Sequence, residues 1–160
     1  MKTLFENRQD AGHALAQRLV RFTGEPDVLV LALPRGGVPV AVEVARELRV
    51  PLQLFQQGRL AEGVAEKTVL LVDDGIATGS TIRVAISTLH QLNPKRVIVA
   101  VPVAPLHMVW DLRSEIDEFV TILAPARFFA INEWYKDFPT VTDEQVCELM
   151  EEAAEPMAMI

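Results

Sequence analysis

Apolar residues fall along this chain in two alternating patterns: short continuous runs, and longer stretches in which every third or fourth residue is apolar. Continuous runs are typical of strands buried on both faces of a parallel sheet, and the wider spacing is typical of helices with one apolar face. The runs predict strands at residues 28–33, 51–55, 68–72, 96–101 and 119–123. The periodic stretches predict helices at residues 10–22, 38–48, 80–91, 106–113 and 142–155. Strands and helices in alternation predict a doubly wound α/β fold, with a mainly parallel sheet flanked by helices.

Composition narrows the class of protein. No repeat or low-complexity linker divides the 160 residues, so we expect a single domain over residues 1–160. The net charge of −7 argues against nucleic-acid binding, because no basic stripe is available to displace phosphate counterions. The longest apolar stretch, residues 97–106, is too short to cross a membrane. A single cysteine, Cys147, and an N-terminus without an apolar signal core favour a protein of the reducing cytoplasm.

The most informative segment follows the predicted strand at residues 68–72. Two adjacent carboxylates, Asp73 and Asp74, come directly after the strand, and a turn of small residues then leads into a helix. Ligands of open parallel sheets bind at the carboxyl ends of strands, so a site is expected here. Backbone N–H groups of such a turn and the helix N-terminus suit a phosphate. The candidate phosphate-binding residues are Gly75, Ile76, Ala77, Thr78, Gly79, Ser80 and Thr81.

Other phosphate motifs do not fit this turn. An ATP-type loop needs four residues between its glycines and a lysine after the second, whereas here three residues separate Gly75 from Gly79 and Ser80 follows. The acidic pair has two interpretations. In the first, Asp73 and Asp74 accept hydrogen bonds from ligand hydroxyls or help to position a metal. In the second, one caps the next helix while the other is solvated. The turn beside them favours the first, and a phosphorylated sugar is the ligand that it suggests.

The segment of residues 69–81, an apolar strand followed by two acidic residues and a Thr-Gly-x-Thr turn, closely resembles the binding signature of the type I phosphoribosyltransferases. The resemblance extends to the strand and turn at residues 28–37, and to residues 134–138, so it covers most of the chain. It implies a phosphoribosyltransferase-like domain that binds phosphoribosyl pyrophosphate and transfers the phosphoribosyl group to a nitrogenous base, with release of pyrophosphate. It also implies that Mg²⁺ enters with the diphosphate, near Asp73 and Asp74.

The resemblance also implies roles for individual residues. Asp73 and Asp74 would hold the ribose hydroxyls, and residues 75–81 the 5′-phosphate. The turn of Arg35, Gly36 and Gly37 would receive the pyrophosphate, with Arg35 paired to the leaving group. Taken without the resemblance, a turn of this kind is more often a plain connection between a strand and a helix than a binding loop, and its place beside the end of the neighbouring strand favours the binding role.

The aromatic segment near the C-terminus bears on the acceptor. Trp134 and Tyr135 either stack on a flat base, as aromatic side chains do on nucleobases, or pack the C-terminal helix onto the sheet. The sequence does not distinguish these two roles.

The connector at residues 56–67 departs from the family pattern. Family enzymes carry a long flexible loop here, which closes over the reacting centre and excludes water. An extended out-and-back path of this connector reaches only about 20 Å. Arg59 is its central cation and the candidate to replace the missing loop. Either the chain is a small enzyme whose lid function is met by Arg59, the C-terminal segment or a second subunit of a homo-oligomer, or it is a sensor that binds without turnover. An ordinary α/β protein with an accidental motif is the third interpretation.

Overall fold

The computed structural model describes residues 4–56 and 63–154. Within these residues a five-stranded sheet forms the centre of the molecule, and every pairing in it is parallel. The strands lie in the order β2-β1-β3-β4-β5, which confirms the predicted fold class. Their bounds are β1 Val28–Ala32, β2 Leu52–Leu54, β3 Thr68–Val72, β4 Arg96–Val103 and β5 Glu118–Leu123.

Helices cover both faces of this sheet. Their bounds are α1 Arg8–Gln17, α2 Gly37–Leu48, α3 Ser80–His90, α4 Leu106–Asp111 and α5 Asp143–Ala154, with short 3-10 helices at Val20–Phe22 and Ile131–Trp134. No described helix is both long enough and apolar enough to span a membrane. Thr142 and Gln145 form the reciprocal capping box of α5, since each backbone N–H donates to the other's side chain, at 2.9 and 3.1 Å.

The alternation of side chains along the strands builds two cores. In β3, Leu70 and Val72 face the core beneath α1, α2 and α5, whereas Val69 and Leu71 face the core beneath α3 and α4. All four residues are fully buried, which explains why the strand is apolar without alternation. The sheet is therefore the middle of three layers.

The strand order brings two loops together. β1 and β3 are neighbours, with Ala32 opposite Val72, although β2 lies between them in the chain. Their carboxyl ends therefore point to the same edge of the sheet, where the β1–α2 and β3–α3 loops leave side by side. The Leu33 N–H donates to the carbonyl of Val72 at 2.9 Å and so fixes the first residue of one loop against the last residue of β3.

The N-terminal segment and residues 128–138 pack on this same edge. Phe5 forms an isolated parallel bridge with Tyr135, and the Lys136 N–H donates to the Phe5 carbonyl at 2.8 Å. The start of α1 is thereby held beside the loops. Its cap is Asn7, whose side chain accepts from the N–H of Asp10 at 2.8 Å.

Candidate functional site

The β3–α3 turn has a fixed shape. Gly79 caps α3 with φ at +85°, a left-handed conformation that side chains rarely adopt, and a Cβ there would lie 2.3 Å from the Met108 Cε. Ile76 is buried, and its N–H donates to the carbonyl of Val103 at 3.0 Å. The turn is anchored at its centre by Ile76 and closed at its end by a position that only glycine fits.

Hydrogen-bond donors at this turn face a small cavity. Thr78, Ser80 and Thr81 line it, and the Thr78 and Ser80 hydroxyls lie 3.0 Å apart. Within residues 4–56 and 63–154, the backbone N–H groups of Ala77 and Gly79 have no hydrogen-bond acceptor. The cavity that this turn lines, together with Asp73 and Ile131, has a volume of about 140 Å³. A ring of N–H and hydroxyl donors at a helix N-terminus is the arrangement that binds a phosphate group.

Asp73 lies at the rim of this cavity and is partly buried. Its Oδ1 accepts the N–H of Asp74 at 2.8 Å. Burial, and next the neighbouring Asp74 carboxylate, raise the pKa of Asp73 well above its ordinary value. A carboxylate destabilised by desolvation and by a like charge gains from a ligand hydroxyl or cation that approaches it.

Asp74 points to the other side and is buried. Its Oδ2 accepts the Nε–H of Arg8 at 3.1 Å, and the side chains of this ion pair are 8% and 10% exposed. The Tyr135 hydroxyl donates to the backbone carbonyl of Asp74 at 2.6 Å. Burial raises the pKa of Tyr135 far above its ordinary value, so the hydroxyl keeps its proton and remains a donor. The protein therefore holds both the carboxylate and the backbone carbonyl of Asp74.

Arg8 is a site residue that the sequence did not reveal. It stands in the first turn of α1, is buried, stacks its guanidinium 3.8 Å from the centre of the Phe138 ring, and donates from Nη1 to the carbonyl of Pro139. The one available signal was indirect: two adjacent carboxylates at a buried strand end need a cation nearby, and no residue close in sequence supplies one.

The β1–α2 turn packs directly against the acidic pair. A Cβ on Gly36 would lie 2.2 Å from Asp74 Oδ2, and a Cβ on Gly37 would lie 2.9 Å from the Asp73 Cα, so both positions require glycine. The peptide bond between Pro34 and Arg35 is cis. These contacts bring the turns predicted for the pyrophosphate and for the ribose together in one site.

Arg35 lies on the open side of this turn. Its side chain is 55% exposed, and Nη1 lies 3.8 Å from Oδ1 of Asp143 at the start of α5. A cleft of about 640 Å³ is lined by Arg35, Gly36, Asp74 and Arg8, with α5 on its far side. The acidic pair thus stands between two cavities, with Asp73 at one and Asp74 at the other.

The two candidate base-stacking residues, Trp134 and Tyr135, lie in the interior of the protein. Trp134 and Tyr135 are 6% and 5% exposed, and they pack in a cluster with Phe5, where the Phe5 and Tyr135 rings lie 5.5 Å apart. In this structure they tie the N-terminal segment to residues 128–138 rather than packing α5 on the sheet, and their faces are covered. Arg59 lies outside the described residues.

The chain offers little to hold a metal by itself. Within the described residues, no group of three or more His, Cys, Asp or Glu side chains is placed to bind one. Asp73 retains a carboxylate oxygen beyond the one bonded to Asp74, and Mg²⁺ is commonly bound by one or two carboxylates together with substrate phosphates. The residues fit a magnesium ion that arrives with a diphosphate.

Comparison with known proteins agrees with the phosphate-binding arrangement that the geometry shows. The sequence model of the phosphoribosyl transferase domain matches residues 55–123. The proposed phosphoribosyl transferase Rv0571c of Mycobacterium tuberculosis is 30% identical over 209 aligned positions, which cover 94% of this chain and 47% of the relative. The chain thus spans about half the length of this curated relative. The alignment is longer than the chain itself, so it includes positions where the relative has residues that this chain lacks.

Solved structures share the fold. The protein TT1426 from Thermus thermophilus superposes with a TM-score of 0.83 at 32% identity, over 95% of this chain and 100% of that one. A purine phosphoribosyltransferase from Pyrococcus horikoshii superposes with a TM-score of 0.56 at 22% identity, over 87% and 99% of the two chains, and shows the fold alone. The family model, the Mycobacterium tuberculosis relative and the strand-end site agree: the chain is similar to the phosphoribosyltransferases in sequence and in fold, and its connector between β2 and β3 is short.

Proposed function

We propose that this protein binds phosphoribosyl pyrophosphate and transfers its phosphoribosyl group to a nitrogenous base. One observation carries the proposal: the carboxylates of Asp73 and Asp74 stand between two cavities that suit anions. The ligand has the matching layout, with a phosphate on one side of the ribose, a diphosphate on the other and hydroxyls between them. The turn at residues 75–81 takes the 5′-phosphate, and the cleft beside Arg35 takes the diphosphate.

The chemistry requires positioning and charge stabilisation rather than a protein nucleophile. The C1–O bond to pyrophosphate breaks, and the electron pair leaves with the oxygen. A ring nitrogen of the base forms the C1–N bond, and its proton passes to the departing pyrophosphate or to water. Arg35 stabilises the charge that grows on the leaving diphosphate, and the N–H groups at the start of α3 hold the other end of the ligand. Asp73 accepts from a ribose hydroxyl and so fixes C1 between the two anions.

Magnesium is part of this proposal. Bound with the diphosphate, it supplies charge neutralisation on the leaving group. Asp74 lines the cleft for the diphosphate but is already paired with Arg8, whereas Asp73 lines the phosphate cavity on the other side of the acidic pair. The diphosphate oxygens would therefore supply most ligands of the ion. The protein's own part is to hold the carboxylate of Asp73 in place through the N–H of Asp74, and the ribose hydroxyl that the carboxylate meets favours its ionised form.

A second candidate function is binding without turnover. The connector between the end of β2 and the start of β3 is short, and the Mycobacterium tuberculosis relative has residues that this chain lacks. A protein that retained both anion cavities without a covering loop would act as a sensor of the same ligand. Loss of a lid reduces the rate of the chemical step far more than it reduces binding of a phosphate.

Calorimetric titration with phosphoribosyl pyrophosphate, with and without Mg²⁺, tests the shared part of both candidates. We expect saturable binding that strengthens with Mg²⁺. Thr81→Val should weaken it about tenfold, the equivalent of one hydrogen bond to a charged group, whereas Thr88→Val on the same helix should leave it unchanged. Equal affinity of both variants and the wild type would remove the phosphate assignment.

Pyrophosphate release with a panel of bases separates the two candidates. Release that depends on one base identifies the enzyme and its acceptor. Tight binding without release under any base, together with a ligand-dependent change in oligomeric state, identifies the sensor.

A further inference from the structure

We propose that Arg8 is a positioning residue of the ligand site: it fixes the Asp74 carboxylate and the segment at residues 137–141 in the arrangement that the ligand meets. The inference deepens the proposed function and rests on it for the identity of the ligand. Arg8 comes from α1, an element with no residue in the family's binding turns.

The contacts of Arg8 join four separate parts of the chain. Its Nε–H donates to Asp74 of the β3–α3 loop, and its guanidinium plane covers the Phe138 ring. Its Nη1 donates to the carbonyl of Pro139. Its Nη2 lies 3.3 Å from the place that a Cβ on Gly36, in the β1–α2 loop, would occupy. A planar group with five donors can satisfy these directions at once, which an ammonium cannot.

Burial keeps the hydrogen bond between Arg8 and Asp74 in one orientation. The side chain is 8% exposed, and its carboxylate partner is 10% exposed, so solvent competes weakly with their hydrogen bond. Arg8 also lines both the cleft beside Arg35 and a second cavity of about 300 Å³ between α1 and α5. It therefore forms the wall between them, and its removal would let the Asp74 side chain and residues 137–141 relax into open space.

The consequence for the ligand is specific. Because Arg8 holds one of its oxygens, the Asp74 carboxylate lines the cleft in one orientation. Without Arg8, the carboxylate rotates or draws in water, and the ribose meets a site that must reorganise before it binds. Affinity for the whole ligand falls, whereas affinity of the 75–81 turn for a phosphate alone does not, because no hydrogen bond or ion pair joins that turn to Arg8 within the part of the chain that the structure describes.

The test compares Arg8→Met, Arg8→Lys and the control Arg18→Met, which removes an exposed arginine from the end of the same helix. Titrations at low temperature, where each variant is checked to be folded, use phosphoribosyl pyrophosphate and inorganic phosphate. We expect a loss of about tenfold or more for phosphoribosyl pyrophosphate in Arg8→Met, and a partial loss in Arg8→Lys. Phosphate binding should not change. A purely structural role would lower the free energy of unfolding without changing either affinity of the folded protein, and that result would overturn the inference.

Amide hydrogen exchange of the unliganded variants tests, independently of any ligand, whether Arg8 holds these segments in place. Exchange should accelerate at residues 73–75 and 137–141 in both Arg8 variants, and remain as in the wild type across β4 and in Arg18→Met. If Arg8→Lys, which keeps the charge and the fold, exchanges like the wild type at both segments, the inference is wrong. If the wild type fails to bind phosphoribosyl pyrophosphate while exchange accelerates as expected, the proposed ligand is wrong and the positioning by Arg8 stands.

Discussion

Replacement of Gly36 by alanine should destabilise this protein although its backbone suits alanine. Gly36 has φ at −62° and ψ at −26°, a helical conformation in which glycine-to-alanine substitutions commonly stabilise by about 0.4–1 kcal/mol. The new Cβ would lie 2.2 Å from Asp74 Oδ2, well inside the roughly 3.5 Å at which non-bonded heavy atoms attract. The sign of the effect therefore depends on whether Asp74 can move.

Asp74 cannot move cheaply, because Arg8 holds the same oxygen that the Cβ would strike. The Nη2 atom of Arg8 would itself lie 3.3 Å from the new Cβ, so Asp74 cannot move away on that side. Overpacking of this kind costs about 1–3 kcal/mol, and the gain in backbone entropy offsets part of it. We expect a net loss of about 1–2 kcal/mol in the free energy of unfolding, or about 2–8 °C in Tm for a chain of this size.

Urea denaturation tests whether contact with Asp74 causes this loss, by comparing Gly36→Ala in the wild type and in a background without that contact. In a background of Arg8→Met with Asp74→Ala, both charges and the clashing oxygen are gone, so Gly36→Ala should become neutral or stabilising. Gly24→Ala is the control, because Gly24 has φ at +67° and open space around it. It should lose about 1 kcal/mol in both backgrounds. A wild-type stability for Gly36→Ala, or an equal loss in both backgrounds, would refute the proposed contact between the two loops.

Three further substitutions, one of them with a matched control, test single groups of the site. Burial raises the pKa of Asp73, so the folded state binds its proton more tightly than the unfolded chain, and stability falls as the pH rises from the ordinary aspartate pKa to the raised one. Asp73→Asn should remove this loss in pH-dependent denaturation and raise stability at pH 7, while it weakens ligand binding at least about tenfold. Arg35→Gln should weaken diphosphate binding in titrations with little change in Tm, because its pairing with Asp143 is exposed, and Asp143→Asn should not weaken it. Tyr135→Phe leaves the Asp74 carbonyl without its donor and should cost about 1–2 kcal/mol in urea denaturation without changing base preference; a changed preference would instead place Tyr135 in contact with the base.

Patterns that depend on neighbours in sequence predicted the fold well. β3 was predicted at its observed bounds, because a strand buried on both faces must be apolar throughout. The glycine positions were also predictable, since a tight turn between a strand and a helix requires them. The sequence pattern began the first helix at residue 10, two residues after α1 begins at Arg8. Asn7 caps α1, and the Asp10 carboxylate instead accepts the N–H of Glu6 at 3.0 Å. Two polar residues in one turn compete for this role, and propensity does not rank them.

Contacts between distant residues could not be predicted in this way. Arg8 and Asp74 are 66 residues apart, and Tyr135 reaches Asp74 across 61. Nothing near Arg8 in sequence marks it as buried, since an arginine in the first turn of a helix is ordinarily solvated. The aromatic residues pose the same problem, because a ring that stacks on a ligand and a ring that fills a core have the same sequence pattern.

The two halves of the proposed function depend on different parts of the chain. Binding rests on loops that buried contacts hold in place, whereas turnover requires something to cover the open cleft. The connector between β2 and β3 has less free length than its sequence suggests. Phe55 donates its N–H to Ala32 at one end, and Val64 is 1% exposed in the core at the other, so only about eight residues lie between these anchors. An out-and-back path of that length reaches about 13–14 Å. A segment of that length is too short to enclose the ligand. We therefore expect affinity for phosphoribosyl pyrophosphate to be retained more fully than the rate of pyrophosphate release, and a second copy of the chain that supplied the cover would make that rate depend on protein concentration.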